Sequence, residues 1–269
     1  LETIVSPECV LATNTSSLSV ERMSEGLKNP ERVVGFHFFN PVAIMPLLEV
    51  ARTSKTDDAT TATAISVGKD LKKTMIICKD APGFVVNRLL TRFMGEITDA
   101  VDEGTSPEVA DNAMRSIGFP MSPFQLLDLV GPGVALHVSE TLHANLGDRY
   151  RISPTMAAMV KEGVRNFYVK NEDGSFGANP AALALIHKGD SPSTAEQVRS
   201  RALTALAVEA RMMLDEGVVS TPAEIDLCML MGAGWPMHLG GILPYLDREG
   251  ISEAACGQRF HAKGVASLP

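Results

Sequence analysis

Two short runs decide the fold predicted for the first part of the chain. Gly35–Val42 reads GFHFFNPV, and Met45–Val50 reads MPLLEV. Each contains an apolar run rich in residues that prefer strands, with His37 near the end of the first and Glu49 inside the second. A carboxylate in a buried strand is costly unless it is paired. We therefore expect Glu49 to bond His37, which gives a general base held by an orienting carboxylate.

Outward from these runs, strand and helix patterns alternate. Strand candidates are Cys9–Thr13, Val33–Phe39, Leu47–Ala51 and Thr74–Cys78, with a short helix predicted over Val20–Leu27 and a longer one opened by Asp57 and Asp58. Such alternation predicts an α/β fold in which helices cover a mainly parallel or mixed sheet. His37 then lies at the carboxyl end of a strand, where ligands of open α/β sheets bind.

After the turn at Asp80–Gly83 the pattern becomes helical and is repeated. A long amphipathic helix is predicted to run on from Phe84. Further helices are predicted over Pro107–Ile117, Phe124–Val130, Pro154–Val164 and from Thr194 onward, and Asn171–Asn179 is predicted to be a loop or linker. The run Asp-Glu-Gly, a proline, an aspartate and Gly-aromatic-Pro-Met occurs in Ala100–Val130 and again in Asp215–Leu246. This order predicts two copies of one helical unit.

Composition narrows the class of protein. The 269 residues are 45% hydrophobic and 21% charged, which is typical of a soluble globular protein, and the net charge of −8 argues against a nucleic-acid binder. No apolar run is long enough for a bilayer span, and no signal peptide opens the chain. The four cysteines are scattered, which indicates free thiols in a reducing compartment and predicts a cytoplasmic protein without a metal site.

Each candidate residue also has a structural interpretation. His37 could be a strand histidine bonded to backbone, and Asn14–Ser17 could only cap a helix. Asn40 precedes Pro41 and could simply end a strand. Asn87 follows a Pro-Gly turn, where its amide could bond a substrate carbonyl or another part of the protein. The remaining histidines, His137, His143, His187, His238 and His261, have no spacing that suggests metal ligation.

Several motifs together resemble one family. HFFNP at His37–Pro41, with Met45 and the LEV of Leu48–Val50, resembles the signature of L-3-hydroxyacyl-CoA dehydrogenases. NTSSL at Asn14–Leu18 and DxPGFxxNR at Asp80–Arg88 match it in order and spacing. The doubled helical unit resembles the C-terminal part of the multifunctional fatty-acid oxidation complex alpha subunit, in which an enoyl-CoA hydratase domain precedes the dehydrogenase.

The resemblance implies a role for each site residue. His37 takes the 3-hydroxyl proton as hydride leaves carbon 3 of a 3-hydroxyacyl-CoA for NAD, and Glu49 orients His37. Ser16 and Asn87 contact the hydroxyl or thioester side of the substrate, with Ser16 also at the nicotinamide end. Asn40 contacts the cofactor. The product is a 3-ketoacyl-CoA, within fatty-acid β-oxidation.

The resemblance also implies a division of the chain into domains and the absence of part of the NAD and CoA sites. It implies the second half of a Rossmann-like NAD-binding domain over residues 1–79, followed by helical dehydrogenase domains over 80–178 and 179–269. The sequence has no GxGxxG loop, no acidic residue for the adenine ribose, and no upstream serine and lysine for CoA. Glu162–Tyr168 keeps only the tail of a glycine-rich run usual in the family. We therefore expect little NAD binding or activity from this chain alone.

Two other functions compete with this one. The chain could be a non-catalytic assembly module whose helical units bind a thiolase-type subunit, or pair with a second copy as a homodimer. Loss of partner binding on removal of Thr194–Pro269, with the chemistry intact, would favour the assembly role. A 6-phosphogluconate-type dehydrogenase shares the general plan, but such enzymes usually rely on a lysine base, and the pairing of His37 with Glu49 counts against it.

Overall fold

The fold is described from a computed structural model, which covers residues 1–172, 174 and 176–265. The chain forms two compact units. One contains Leu1–Arg88 together with Ala210–Pro269, and the other contains Leu89–Glu209. The three-domain division inferred from the sequence stays a prediction. Among the described residues, no helix has the length and apolar character needed to cross a membrane.

A four-stranded mixed sheet lies in the first unit. Its strands are β1 (Leu11–Thr13), β2 (Val33–Phe38), β3 (Leu47–Arg52) and β4 (Thr74–Lys79), in that spatial order. The pairs β1–β2 and β3–β4 are parallel, whereas β2 and β3 are antiparallel. The four predicted strands are therefore present, with ends that differ from the prediction by one or two residues.

Helices follow the strands and make up most of the rest of the chain. They are α1 (Val20–Ser24), α2 (Asp58–Asp70), α3 (Val86–Asp102), α4 (Pro107–Asn112), α5 (Pro123–Val130), α6 (Pro132–Leu146), α7 (Pro154–Lys161), α8 (Pro180–Leu183), α9 (Ala195–Asp215), α10 (Pro222–Gly232), α11 (Ile242–Arg248) and α12 (Ile251–Cys256). Helix α6 was not anticipated, because its many small and polar residues do not form a clear apolar stripe. The fold is an α/β sheet followed by helical units, as predicted.

Local sequence signals account for the elements around the sheet. Asp57 caps α2 by accepting the Thr60 N–H at 2.7 Å. Ser19, rather than the Asn14–Ser17 run, caps α1. Val34 of β2, Leu48 and Val50 of β3 and Ala64 of α2 form one buried cluster, so the alternating apolar positions of β2 and β3 face a common core with this helix.

The polar, glycine-containing composition of Asn171–Asn179 predicts a loop or linker. The prediction is wrong for Phe176–Ala178, which form β6 and pair antiparallel with β5 (Tyr168–Lys170). A short exposed hairpin is held by backbone pairing with its neighbour, so its composition need not be apolar. Residues 173 and 175 lie outside the described part of the chain.

The repeated sequence corresponds to a repeated hydrogen-bond pattern. In the first copy, Asp111 on α4 accepts the Phe124 N–H at the start of α5, at 2.8 Å. In the second copy, Asp226 on α10 accepts the Leu243 N–H at the start of α11, also at 2.8 Å. Each aspartate therefore satisfies a free N–H group in the first turn of the following helix.

The pattern continues at the other end of each copy. The second oxygen of Asp111 accepts the Tyr168 hydroxyl, and that of Asp226 lies 2.8 Å from His261 Nε2. A further pair of equivalent aspartates accepts backbone N–H groups of two consecutive residues, namely Asp128 from Phe167 and Tyr168, and Asp247 from Phe260 and His261. His261 thus occupies in the second copy the place that Tyr168 has in the first.

Helix α10 packs closely on the sheet at Gly232, its last residue. A Cβ on Gly232 would lie 2.5 Å from Leu47 Cδ2 and 3.0 Å from Val86 Cγ2. We expect Gly232→Ala to lower the free energy of unfolding by about 1–3 kcal/mol, because the buried neighbours must move. Urea unfolding measures the change.

Gly95 within α3 provides the matched control for that substitution. A Cβ there would meet no described atom within 4 Å. Gly95→Ala should therefore be neutral or stabilise by up to about 1 kcal/mol, through helix propensity alone. Equal unfolding free energies for the Gly232 and Gly95 variants would contradict close packing of α10 on β3.

Candidate active site

The predicted base and its orienting carboxylate are in direct contact. His37 on β2 and Glu49 on β3 are opposite residues in the antiparallel register, so their side chains leave the sheet on the same face. His37 Nδ1 lies 2.7 Å from Glu49 Oε2. The histidine is 5% exposed and the glutamate 0%. This hydrogen bond fixes the imidazole plane and leaves Nε2 as the ring nitrogen free for proton transfer.

The second carboxylate oxygen of Glu49 is held by backbone. Glu49 Oε1 accepts the N–H groups of Val85 and Val86 at 3.1 and 3.0 Å. These are consecutive donors at the start of α3, where the helix dipole also favours a negative charge. Hydrogen bonds to both oxygens compensate the cost of burying the group.

An unusual turn presents those two donors. Gly83 and Phe84 both have left-handed backbone conformations, with φ of 73° and 47°. Glycine adopts this conformation easily, whereas a phenylalanine there is uncommon and strained. The Phe84 side chain is buried, and its burial and the surrounding packing hold the turn in place. We define Gly83–Val86 as the donor turn.

Aromatic rings enclose the imidazole. The Phe39 ring centroid lies 4.6 Å from that of His37, and the Phe84 ring centroid 5.7 Å away. Apolar walls reduce the local dielectric response, so the attraction between an imidazolium and the Glu49 carboxylate is stronger here than in water.

The other predicted site residues lie on the loops after β1 and β2 and in the first turn of α3. Asn87 Nδ2 donates to the Ser16 carbonyl at 3.3 Å, which ties the loop after β1 to the start of α3. Asn14 Oδ1 accepts the Phe38 N–H at 2.9 Å and ties the same loop to β2. Asn40 is exposed in the loop after β2, where it precedes a cis peptide bond to Pro41.

Other reactive groups near the sheet are unsuited to acid–base or nucleophilic roles. Burial raises the pKa of the Cys78 thiol well above its usual value, and the Glu49 and Asp80 charges act in the same direction. Burial likewise raises the pKa of the Cys228 thiol. Both thiols stay protonated at neutral pH. Among the described residues, no cluster of side chains has the composition and proximity of a metal site.

Reasoning from the sequence missed part of the site's support. The backbone donors of Val85 and Val86 carry no side-chain signal, although the Pro-Gly pair marked a turn. Arg88 is completely buried and forms two hydrogen bonds with Glu216, from Nη1 to Oε2 at 2.6 Å and from Nη2 to Oε1 at 3.1 Å. An arginine within the motif DxPGFxxNR was visible in the sequence, but its partner after α9 was not.

Family models match most of the chain. The model described as "3-hydroxyacyl-CoA dehydrogenase, NAD binding domain" matches residues 1–81, and that described as "3-hydroxyacyl-CoA dehydrogenase, C-terminal domain" matches residues 83–172. The Acinetobacter baylyi protein named "Fatty acid oxidation complex subunit alpha" is 31% identical over 291 residues, covering 100% of this chain and 40% of that protein. The chain thus spans about 40% of the length of the curated relatives it matches.

Solved structures agree with these matches. The 3-hydroxybutyryl-CoA dehydrogenase of Escherichia coli superposes with a TM-score of 0.72 over 97% of this chain and 75% of its own, at 23% identity, which shows the shared fold. The dehydrogenase part of multifunctional enzyme 1 from Caenorhabditis elegans gives a TM-score of 0.54 at 25% identity, over 94% of this chain and 63% of its own.

The two matched domains are those of the NAD-dependent dehydrogenase class. The chain belongs to the 3-hydroxyacyl-CoA dehydrogenase family.

The residues present fit one end of the NAD cofactor. Ser16, half-buried, and Asn40, exposed, follow the carboxyl ends of the parallel strands β1 and β2, where the ligands of such sheets bind. The 269 residues contain no glycine-rich turn of the kind that receives a pyrophosphate. The donor set therefore fits the nicotinamide end and leaves the phosphates without a site within this sequence.

Proposed function

We propose that this chain carries the proton-transfer half of a 3-hydroxyacyl-CoA dehydrogenase, which oxidises L-3-hydroxyacyl-CoA to 3-ketoacyl-CoA in fatty-acid β-oxidation. The observation that carries the proposal is the buried contact of 2.7 Å between His37 and Glu49, with Glu49 fixed by the donor turn. A base held in this way has its ring orientation set before substrate binds.

In the proposed reaction His37 Nε2 accepts the proton of the 3-hydroxyl group. Glu49 keeps the Nδ1 proton in place and stabilises the imidazolium that forms. When bound, NAD supplies the acceptor for the hydride that leaves carbon 3. Ser16 and Asn87 contact the hydroxyl or thioester side of the substrate, and Asn40 contacts the cofactor. The walls formed by Phe39 and Phe84 exclude water from the imidazole.

The isolated chain is proposed to be inactive, because its sequence lacks the glycine-rich phosphate loop. The test compares the 269-residue chain with the full-length protein that carries it, using 3-hydroxybutyryl-CoA and longer 3-hydroxyacyl-CoA probes. We expect substrate-dependent reduction of NAD by the full-length protein. For the chain alone we expect neither turnover nor saturable NAD binding in calorimetry.

The inactivity of the isolated chain and the dehydrogenase function are contradicted by different results. Tight stoichiometric NAD binding by the chain alone would contradict the missing phosphate site. Absence of turnover in a full-length protein that binds NAD, with every chain length tried, would contradict the dehydrogenase function.

A structural role in a larger assembly is the second candidate. The relatives are named as subunits of a fatty acid oxidation complex, which supports assembly with another subunit. The thiolase-type partner, the second copy of this chain and the cytoplasmic location stay predictions. Pull-down of the full-length protein with and without Thr194–Pro269 discriminates. Loss of the partner supports an assembly role for the second helical copy; activity is not a control for this truncation, because it also removes α10, which packs against β3.

A further inference from the structure

The position of Glu49 depends on the donor turn, and the donor turn depends on Arg88. The Arg88 backbone N–H donates to the Gly83 carbonyl at 3.1 Å, so this residue closes the turn that presents the Val85 and Val86 N–H groups. Its guanidinium is fully buried. Arg88 therefore connects a buried guanidinium to the backbone turn that holds Glu49.

Glu216 fixes the guanidinium from the second helical copy. It follows the end of α9 and binds Arg88 through both carboxylate oxygens, at 2.6 and 3.1 Å. Such a two-point contact sets the direction of the arginine side chain as well as its distance. The Glu216 side chain is 41% exposed, so it lies at the outer end of this connection.

The same ion pair occurs a second time with the roles of the copies exchanged. Arg201 on α9 donates to both oxygens of Glu103, which follows the end of α3. Glu103 comes fifteen residues after Arg88, and Glu216 comes fifteen residues after Arg201. The arginine of each sequence copy therefore binds the glutamate of the other copy, so the two ion pairs are reciprocal.

Only one of the two pairs includes a residue that bonds the donor turn, the segment that holds Glu49. Arg88 stands two residues after the donor turn and bonds its first residue, whereas Arg201 bonds Glu96 and Glu103 on and after α3. The Arg201–Glu103 pair has the same chemistry, the same sequence spacing and similar distances. It thus provides a control that the chain itself contains.

We propose that Glu216, contributed by the second helical copy, is a positioning residue for the His37–Glu49 pair, acting through Arg88 and the donor turn. This inference rests on the proposed dehydrogenase function. Without Glu216, a buried guanidinium loses a two-point partner and shifts, and the two N–H donors shift with it. Misplacement of a catalytic group by about 1 Å can cost about 100-fold in rate.

The first arm of the test is kinetic and uses the full-length protein. We expect Glu216→Ala to lower kcat by about 10- to 100-fold while KM for 3-hydroxybutyryl-CoA changes by less than about threefold, because the base is misplaced and the substrate contacts remain. Glu103→Ala should leave both constants within about twofold of wild type. Equal losses in the two variants would overturn the proposal.

The second arm of the test needs neither substrate nor cofactor. It can therefore contradict the positioning role of Glu216 even if the proposed dehydrogenase function is wrong. In the 269-residue chain at low temperature, the proton between His37 Nδ1 and Glu49 should give a far-downfield ¹H resonance. Its loss in His37→Gln assigns it and distinguishes it from any signal of the His261–Asp226 pair. Glu216→Ala should weaken or shift this resonance, and Glu103→Ala should leave it unchanged.

An unchanged resonance in Glu216→Ala, or the same change in both variants, would overturn the positioning role whatever the activity. If circular dichroism shows that Glu216→Ala does not fold, Glu216→Gln and Glu103→Gln replace the alanine variants under the same two criteria. The glutamine amide offers one accepting oxygen in place of two, so it also breaks the two-point contact.

Discussion

Replacing His37 with Gln should lower kcat/KM of the full-length protein by about 10²- to 10⁴-fold, the usual effect of losing a general base. Glutamine is similar in size and can still donate to the Glu49 carboxylate, but it cannot take the hydroxyl proton. Steady-state oxidation of 3-hydroxybutyryl-CoA, followed by NAD reduction, measures the loss. The fold should persist, because the hydrogen bond at this buried position can be kept.

The second helical copy offers a matched control. His261 also bonds a carboxylate, with Nε2 lying 2.8 Å from Asp226 Oδ2. His261→Gln removes an imidazole from a similar pair outside the proposed site, so kcat/KM should stay within about twofold of wild type. A His37→Gln enzyme with unchanged turnover would show that His37 is not the base. Equal losses in both variants would indicate a general effect of removing a paired histidine.

The second large effect concerns stability and pH. Asp99 on α3 is buried, with its carboxylate 3.8 Å from Arg151 Nε. Burial raises the pKa of this carboxyl from 3.8 to about 6, partly opposed by Arg151. The folded protein therefore holds a proton here at pH values where the unfolded chain has released it. This contribution to stability is fully present below about pH 4 and is lost as pH rises through about 6.

Asp99→Asn removes the titrating group and keeps the shape. Relative to wild type, the variant should gain stability as pH rises from about 4, reaching a constant advantage above about pH 7 on the order of 3 kcal/mol. Urea unfolding at a series of pH values measures it. Asp148→Asn, at an exposed position in the same unit, should follow the wild-type curve. Parallel curves for Asp99→Asn and wild type would contradict the raised pKa.

Short-range patterns made the sheet and the pairing of His37 with Glu49 predictable. In antiparallel strands joined by a short connection, opposite residues share a face, and a carboxylate inside an apolar strand needs a partner. Two residues twelve apart in sequence could therefore be paired from the sequence alone. The same holds for the repeat, whose aspartates recur at matching places and make matching hydrogen bonds.

What could not be predicted depends on long-range or backbone geometry. Arg88 and Glu216 are 128 residues apart, and no local pattern selects one partner for a buried arginine among many glutamates. The left-handed conformation of Phe84 contradicts its intrinsic preference and is held by tertiary packing. The raised pKa of Asp99 depends on its burial, whereas the other acidic residues of the same helix, Glu96 and Asp102, are only partly buried.

The reciprocal ion pairs restrict how the lengths of α3 and α9 can change. Fifteen residues correspond to slightly more than four helical turns, so each arginine and the glutamate beyond its helix project within about 60° of each other around the helix axis. Inserting one residue into either helix would rotate its glutamate by about 100° relative to its arginine. One insertion would thus misdirect both pairs at once. A length change keeps both glutamates directed at their arginines only if it adds or removes about one whole helical turn in both helices.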